Sequence, residues 1–212
     1  MNKKISASAF SIEIPSQAEN LQLPDPTLLN YYKDVERRIF WLLGPVDSSL
    51  YELVQHIINC NYEDRDVPVE QRKPIRLIIA SPGGSLEIEQ TVVAVMEASK
   101  TPVWCIAIGM CASAASMIYL AGHKRFATSN ASFMFHQGGC DNLEGSYQQI
   151  MSFMAKYQSD IEAMAEFYKS HTDFSEEIIE EKLTEGDWYI GIEEAFSNGV
   201  VHQLIKTLDV FM

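Results

Sequence analysis

The sequence has no two cysteines at metal-binding or dithiol spacing, and no cysteine beside a pair of histidines. Its four cysteines, Cys60, Cys105, Cys111 and Cys140, are scattered. That argues against a structural zinc and points to reduced thiols, two of them buried, in a cytoplasmic protein. His56, His123, His171 and His202 each stand alone and read as packing or surface residues rather than ligands. No metal and no cofactor are expected. Positive charge is also scarce, with 16 Lys and Arg against 29 Asp and Glu and a formal net charge of −13. With no basic cluster to offset that balance, a nucleic-acid-binding surface is excluded. The acids at Glu176, Glu177, Glu180, Glu181, Glu185, Asp187, Glu193 and Glu194 read mainly as solvated surface.

Targeting and spanning segments are lacking too. Met1-Asn2-Lys3-Lys4 opens like a signal peptide, but residues 5–15 hold no continuous apolar stretch, so secretion is not expected. Residues 103–122 carry no charge and are nominally long enough to cross a bilayer. Gly109, Ser113, Ser116 and several alanines interrupt them, and strand, turn and helix describe them better than a span. No repeat or low-complexity segment is present.

What remains is a chain of 212 residues, enough for one α/β domain with a real core. Residues 1–30, broken by Pro15, Pro24 and Pro26, read as a flexible N-terminal arm, with order from about Tyr31 to residue 212. Strands are expected over 38–43, 75–80 and 103–108. Helices follow them over 49–59, capped by Asp47 or Ser48, over 86–98, and from Ser113 to about Ala121. Alternation at this spacing indicates βαβ units and an α/β fold. Short strands follow around 125–127 and 132–136, then a turn-rich segment over 138–145. A long amphipathic helix over 146–169 carries Ile150, Phe153, Met154, Tyr157, Ile161, Met164 and Tyr168 at three- and four-residue steps, a stripe that suits either core or subunit contact. Ser175 caps an acidic helix, Asp187 lies in a loop before 188–190, and a last helix (193–198) and strand (200–205) close the chain.

Four features carry chemistry. Ser113 stands at a strand-to-helix turn, where unpartnered N–H groups and the helix dipole favour negative charge, as a nucleophile requires. Ser116 lies one turn further on and suits close helix packing as well. His136 ends an apolar strand, where a side chain reaches a fixed point at the sheet edge and can serve as a general base. Asp187, beside Trp188, is a carboxylate that an apolar neighbour could shield while it orients an imidazole. Ser81-Pro82-Gly83-Gly84 brings bare backbone N–H groups to a strand's carboxyl end. It lacks the further glycines and the lysine of a phosphate loop.

Together Ser81-Pro82-Gly83-Gly84-Ser85, the run from Gly109 to Ser113, Phe135-His136-Gln137 and Thr184-Glu185-Gly186-Asp187 resemble the proteolytic subunit of the Clp (caseinolytic) protease family, from about Tyr31 to Ile205. The Ser–His–Asp order along the chain differs from chymotrypsin-like and α/β-hydrolase enzymes, which makes the resemblance specific. It implies the ClpP, crotonase-like fold of stacked βαβ units with a protruding handle helix at about 146–169. It also implies a serine endopeptidase that hydrolyses unfolded proteins or peptides, built as a homo-oligomer of two stacked heptameric rings fed by an AAA+ ATPase unfoldase. Carried over, Ser113 is the nucleophile, His136 the base and Asp187 its orienter, with the N–H groups of Gly84 and Ala114 as oxyanion hole. The run 111–117 offers a second register with Ser116 as nucleophile. Ser113 keeps the family's spacing from Gly109 and to Gly122, and phage-encoded members show a similar run. Met110, Ala114, Gly138 and Gly186 replace the family's usual Gln, Met, Pro and Arg, which marks a divergent or phage-like member. The alternatives are a non-catalytic ring subunit that assembles with an active paralogue and a crotonase-type acyl-CoA enzyme, which would more typically use an acidic residue. A lysine base of the signal-peptide-peptidase-like kind has no clear candidate.

Overall fold

The computed structural model describes residues 3–7, 10–14, 25–139 and 144–211. The chain divides into two compact units, Met1–Arg37 and Arg38–Met212.

The first unit holds regular structure where the proline-interrupted sequence suggested only an arm. Strands β1 (Lys3–Ala7) and β2 (Phe10–Ile14) pair antiparallel, with Lys3 opposite Ile14 and Ala7 opposite Phe10. Helix α1 (Pro26–Glu36) starts ahead of Tyr31. Its start has a local cause: the Asp25 carboxylate accepts the Thr27 N–H at 2.9 Å, and Pro26 occupies a first-turn position that needs no N–H partner.

The second unit runs β3 (Ile39–Leu42), a 3₁₀ turn (Ser48–Leu50), α2 (Tyr51–Glu63), β4 (Ile75–Ser81), α3 (Leu86–Ala98) and β5 (Val103–Ala112). It continues through α4 (Ala114–Leu120), β6 (Lys124–Ala127), β7 (Ser132–Phe135), α5 (Tyr147–His171), α6 (Glu176–Glu185), β8 (Trp188–Ile190), α7 (Ile192–Ser197) and β9 (Gln203–Leu204). The seven strands form one sheet in the order β3-β4-β5-β6-β9, with β7 beside β5 and β8 beside β7. All pairs are parallel except β7–β8.

One strand departs from expectation in a way that builds the site. β5 does not stop near Gly109 but continues to Ala112. Residues 104–107 pair with β6, and residues 110–112 pair with β7. Against β4 the register shifts in between, with Ile79 opposite Ala107 and Ser81 opposite Cys111. Gly109 lies in this changeover, where a missing side chain lets the strand bend without ending.

Alternation along the central strands divides the packing. Leu77, Ile79, Cys105 and Ala107 join Leu53, Ile57, Val92, Met96 and Ile118 of the helices in the main core. On the other face Ile78, Ile106 and Phe126 stand in register and pack with Ile39 under Trp104, Ile205, Val210 and Phe211. Cys60, Cys105 and Cys111 are buried free thiols, one more buried than the sequence suggested, and Cys140 lies outside the described residues. The turn-rich segment 138–145 lies partly outside them too.

The α5 stripe is only half core. Met164 and Tyr168 are buried, whereas Met151, Phe153 and Met154 are exposed in the single chain. The N-terminal half of that helix therefore presents an uncovered apolar face.

An ion pair ties the start of the second unit to α2. Both Arg38 guanidinium nitrogens donate to Asp64, at 2.6 and 2.9 Å, and the Thr101 hydroxyl donates to the same carboxylate at 3.0 Å. The Arg38 hydrogen bond holds the Asp64 carboxyl below its usual range. A depressed carboxylate stabilises the fold above its unfolded value of 3.8, and that contribution is lost as pH falls through the lower folded value. Asp64→Ala is expected to cost about 1.5–3 kcal/mol in urea unfolding at pH 7, because Arg38 loses both bonds to Asp64 and keeps only the Lys73 carbonyl and the exposed Glu63. Repeating the measurement down to pH 2.5 should narrow the gap between variant and wild type.

Candidate active site

Strand register alone brings two of the sequence candidates together. β7 and β8 pair antiparallel with Phe135 opposite Trp188, so the next residue outward on each side is His136 and Asp187. β5 and β7 run parallel with Ala112 opposite Met134, which sets Ser113 and His136 at neighbouring carboxyl ends. The 81–84 turn leaves β4 at the same edge, since Ser81 lies opposite Cys111. Crevices at the carboxyl ends of parallel strands are where α/β sheets bind ligands.

The side chains complete a chain of contacts. Ser113 Oγ lies 2.6 Å from His136 Nε2, and His136 Nδ1 lies 3.2 Å from Asp187 Oδ1. A carboxylate only accepts, so Nδ1 carries the imidazole proton and Nε2 is free to accept from the serine hydroxyl. Ser116, the other register, is turned elsewhere. It is fully buried, and its hydroxyl donates to the Ser113 carbonyl at 2.6 Å.

Ser113 is also one of two non-glycine residues with positive φ, at 55°, among those described. Its N–H donates to the Met134 carbonyl at 2.8 Å, and its own carbonyl accepts from Ser116 and Met117 at the start of α4. These bonds hold a strained backbone that pushes the hydroxyl out of the strand-to-helix turn. Gly83 is what fits beneath it. A Cβ at position 83 would lie 2.6 Å from both the Ser113 Cβ and the Ala112 carbonyl oxygen, and φ there is +91°.

Gly84 and Ala114 each bring a backbone N–H to the same cleft. Val46 donates to the Gly83 carbonyl and accepts from the Ser85 N–H, a parallel bridge in which Gly84's own N–H must point away from Val46. Ala114 opens α4, where the first N–H groups lack intrahelical partners. Gly84, Ser113, Ala114 and His136 line one cleft of about 430 Å³, closed further in by Leu86, Met117, Met164 and Tyr168. Tyr157 of α5 pins the His136 loop by donating to the Gly138 carbonyl at 3.0 Å.

Asp187 is not shielded as its neighbour suggested. Its side chain is 54% exposed in the single chain, whereas Trp188 is buried against Phe135 and Phe174. Asp187 immediately precedes β8, whose alternation puts Trp188 on the buried face. Gly186 permits the turn that presents Asp187: at φ +120° it ends α6 in a conformation that the arginine usual at this position would adopt only with strain.

The Clp protease family model matches residues 27–208. The chain belongs to the Clp protease family. A mutant of ClpP1 from Listeria monocytogenes superposes with a TM-score of 0.71 at 24% identity, over 86% of this chain and 99% of that one. The fold is therefore α/β of the ClpP, crotonase-like kind. Among the described residues no helix is long and apolar enough to cross a membrane.

The sequence analysis does not single out a buried acid one turn from the cleft residue Leu86. Leu86, Glu89, Val93 and Met96 follow a three- and four-residue rhythm along α3, so Glu89 falls within an apolar stripe, and it is 1% exposed. That rhythm was the available signal. An isolated glutamate in a chain this acidic did not stand out.

Proposed function

We propose that this member of the Clp protease family is an active serine endopeptidase subunit that cuts unfolded polypeptides into short peptides. The observation that carries the reading is the continuous Ser113–His136–Asp187 contact chain beside a cleft that Gly84 and Ala114 also line. Ser113 Oγ attacks the scissile carbonyl carbon while His136 Nε2 takes its proton. The N–H groups of Gly84 and Ala114 hold the developing oxyanion. When the tetrahedral adduct collapses, His136 returns the proton to the leaving amine and Ser113 keeps the acyl group. A water then attacks that ester, with His136 as base again, and frees the carboxylate. Asp187 keeps the Nδ1–H tautomer and steadies the imidazolium between these steps.

The uncovered apolar half of α5 supports assembly through the handle, and family membership supports a ring-forming homo-oligomer, stacked in pairs, that works with an AAA+ unfoldase. The cytoplasm suits such a particle and its free thiols. Neither metal nor cofactor enters the chemistry proposed.

Asp187→Asn tests the third member. An amide can donate to Nδ1 and favours the wrong tautomer, so kcat on a fluorogenic peptide should fall by about 10⁴-fold at neutral pH, with particle size unchanged. Unchanged kcat would remove Asp187 from the mechanism. Absence of hydrolysis in the assembled wild type would favour the non-catalytic ring subunit.

A further inference from the structure

Behind the cleft stands a carboxyl group that the triad does not use. Glu89 lies on α3 one turn beyond Leu86, a cleft residue. It is 1% exposed, and its Oε2 is buried with no hydrogen-bond partner among the described residues. Its helix runs beside α5, because Gln90 Nε2 donates to Asp160 at 3.5 Å and Glu97 pairs with His171 at 3.6 Å. Met164 lies between Asp160 and His171 on α5, one turn from Asp160, and lines the cleft. Glu89 therefore stands against the back wall at Met164, between α3 and α5. Burial, with Asp160 adding to it, pushes the carboxyl up to about 8. Unpartnered, such a group costs stability, and a leucine in its place would extend the apolar stripe.

We propose that Glu89 gives the cleft an anionic floor that receives a lysine or arginine side chain from the substrate residue just before the scissile bond. The proposal rests on the peptidase reading above. With the substrate carbonyl held at Gly84 and Ala114, the side chain on the acyl side enters between α3, α4 and α5. A lysine or arginine can lay its apolar stem along Leu86, Met117 and Met164 and carry its charge inward. The unbranched Met164 side chain gives way readily. Pairing with the cation satisfies the vacant oxygen and favours the ionised carboxylate. Asp160 adds negative potential from α5, although Lys156 shares that carboxylate at 2.5 Å. The net charge of −13 draws basic segments toward the particle.

The test compares kcat/KM of the full-length, assembled protein on two fluorogenic peptides that differ only in lysine or leucine before the scissile bond. The proposal expects the wild type to cleave the lysine peptide at least as well as the leucine peptide. Glu89→Gln, nearly isosteric, should lower the lysine value about 30-fold or more and leave the leucine value within about twofold. Glu89→Leu should do the same, and it guards against a misfolded first variant. Cleavage of the leucine peptide alone by the wild type, or equal losses on both peptides, overturns the anionic floor and leaves the peptidase standing. Labelling of Ser113 by a fluorophosphonate with neither peptide cleaved also contradicts only the floor. Neither peptide cleaved and no labelling overturns the peptidase reading, and this proposal with it.

Discussion

Replacing Ser113 by alanine should lower kcat/KM on a fluorogenic peptide by about 10⁴-fold or more, whereas Ser116→Ala should stay within about tenfold of wild type. The contrast follows from where the two hydroxyls go. Ser113 Oγ meets His136 Nε2 at 2.6 Å, while Ser116 Oγ donates to the Ser113 carbonyl just ahead of α4. Loss of Ser113 removes the covalent route outright and leaves only binding and the two N–H donors. Loss of Ser116 removes one helix-start hydrogen bond and the contact to Tyr168, which loosens the turn without abolishing chemistry. Stopped assays of both variants, with particle size checked by sizing chromatography, decide it. Equal losses would mean that the hydroxyls act as a unit.

Gly83→Ala should be nearly as damaging to activity although it touches no reacting atom. The new Cβ would sit 2.6 Å from the Ser113 Cβ and from the Ala112 carbonyl, far inside contact distance, on a residue with φ of +91°. Both partners belong to the strained turn, so the turn must move. A shift of about 1 Å at the nucleophile costs on the order of 10²-fold in rate. The same shift moves Ser113 Oγ relative to Gly84 and Ala114, which line the cleft with it. We expect kcat to fall at least 10²-fold, with KM changed much less, and expect urea unfolding to show a loss of about 1–3 kcal/mol from strain. Wild-type kcat in Gly83→Ala would show that the 83–84 turn does not support the nucleophile.

How far the sequence reveals this molecule depends on how local each cause is. The α3 bounds, the 81–84 turn and the histidine at a strand end rest on nearby residues, and the structure places them as read. The Ser113 turn is local as well, although β5 runs on to Ala112 before it. Other features depend on partners far along the chain. β5 continues past Gly109 because β7 takes over pairing where β6 ends, which no window around Gly109 contains. Asp187 is exposed because β8 pairs with β7 and commits Trp188 to the core face. Glu89 is buried on a helix that α5, some seventy positions later, meets at Gln90–Asp160 and Glu97–His171. The half-exposed stripe of α5 follows the same logic, since periodicity marks an apolar face without naming what covers it.

The central claim is that Ser113 is a nucleophile activated by His136. Its most direct test is to treat the assembled wild-type protein with a fluorophosphonate and locate the adduct by peptide mass spectrometry, with His136→Ala alongside. The account predicts a single adduct on Ser113 in the wild type and little or none in His136→Ala. An adduct on Ser116, or labelling of Ser113 that persists undiminished without His136, would contradict it.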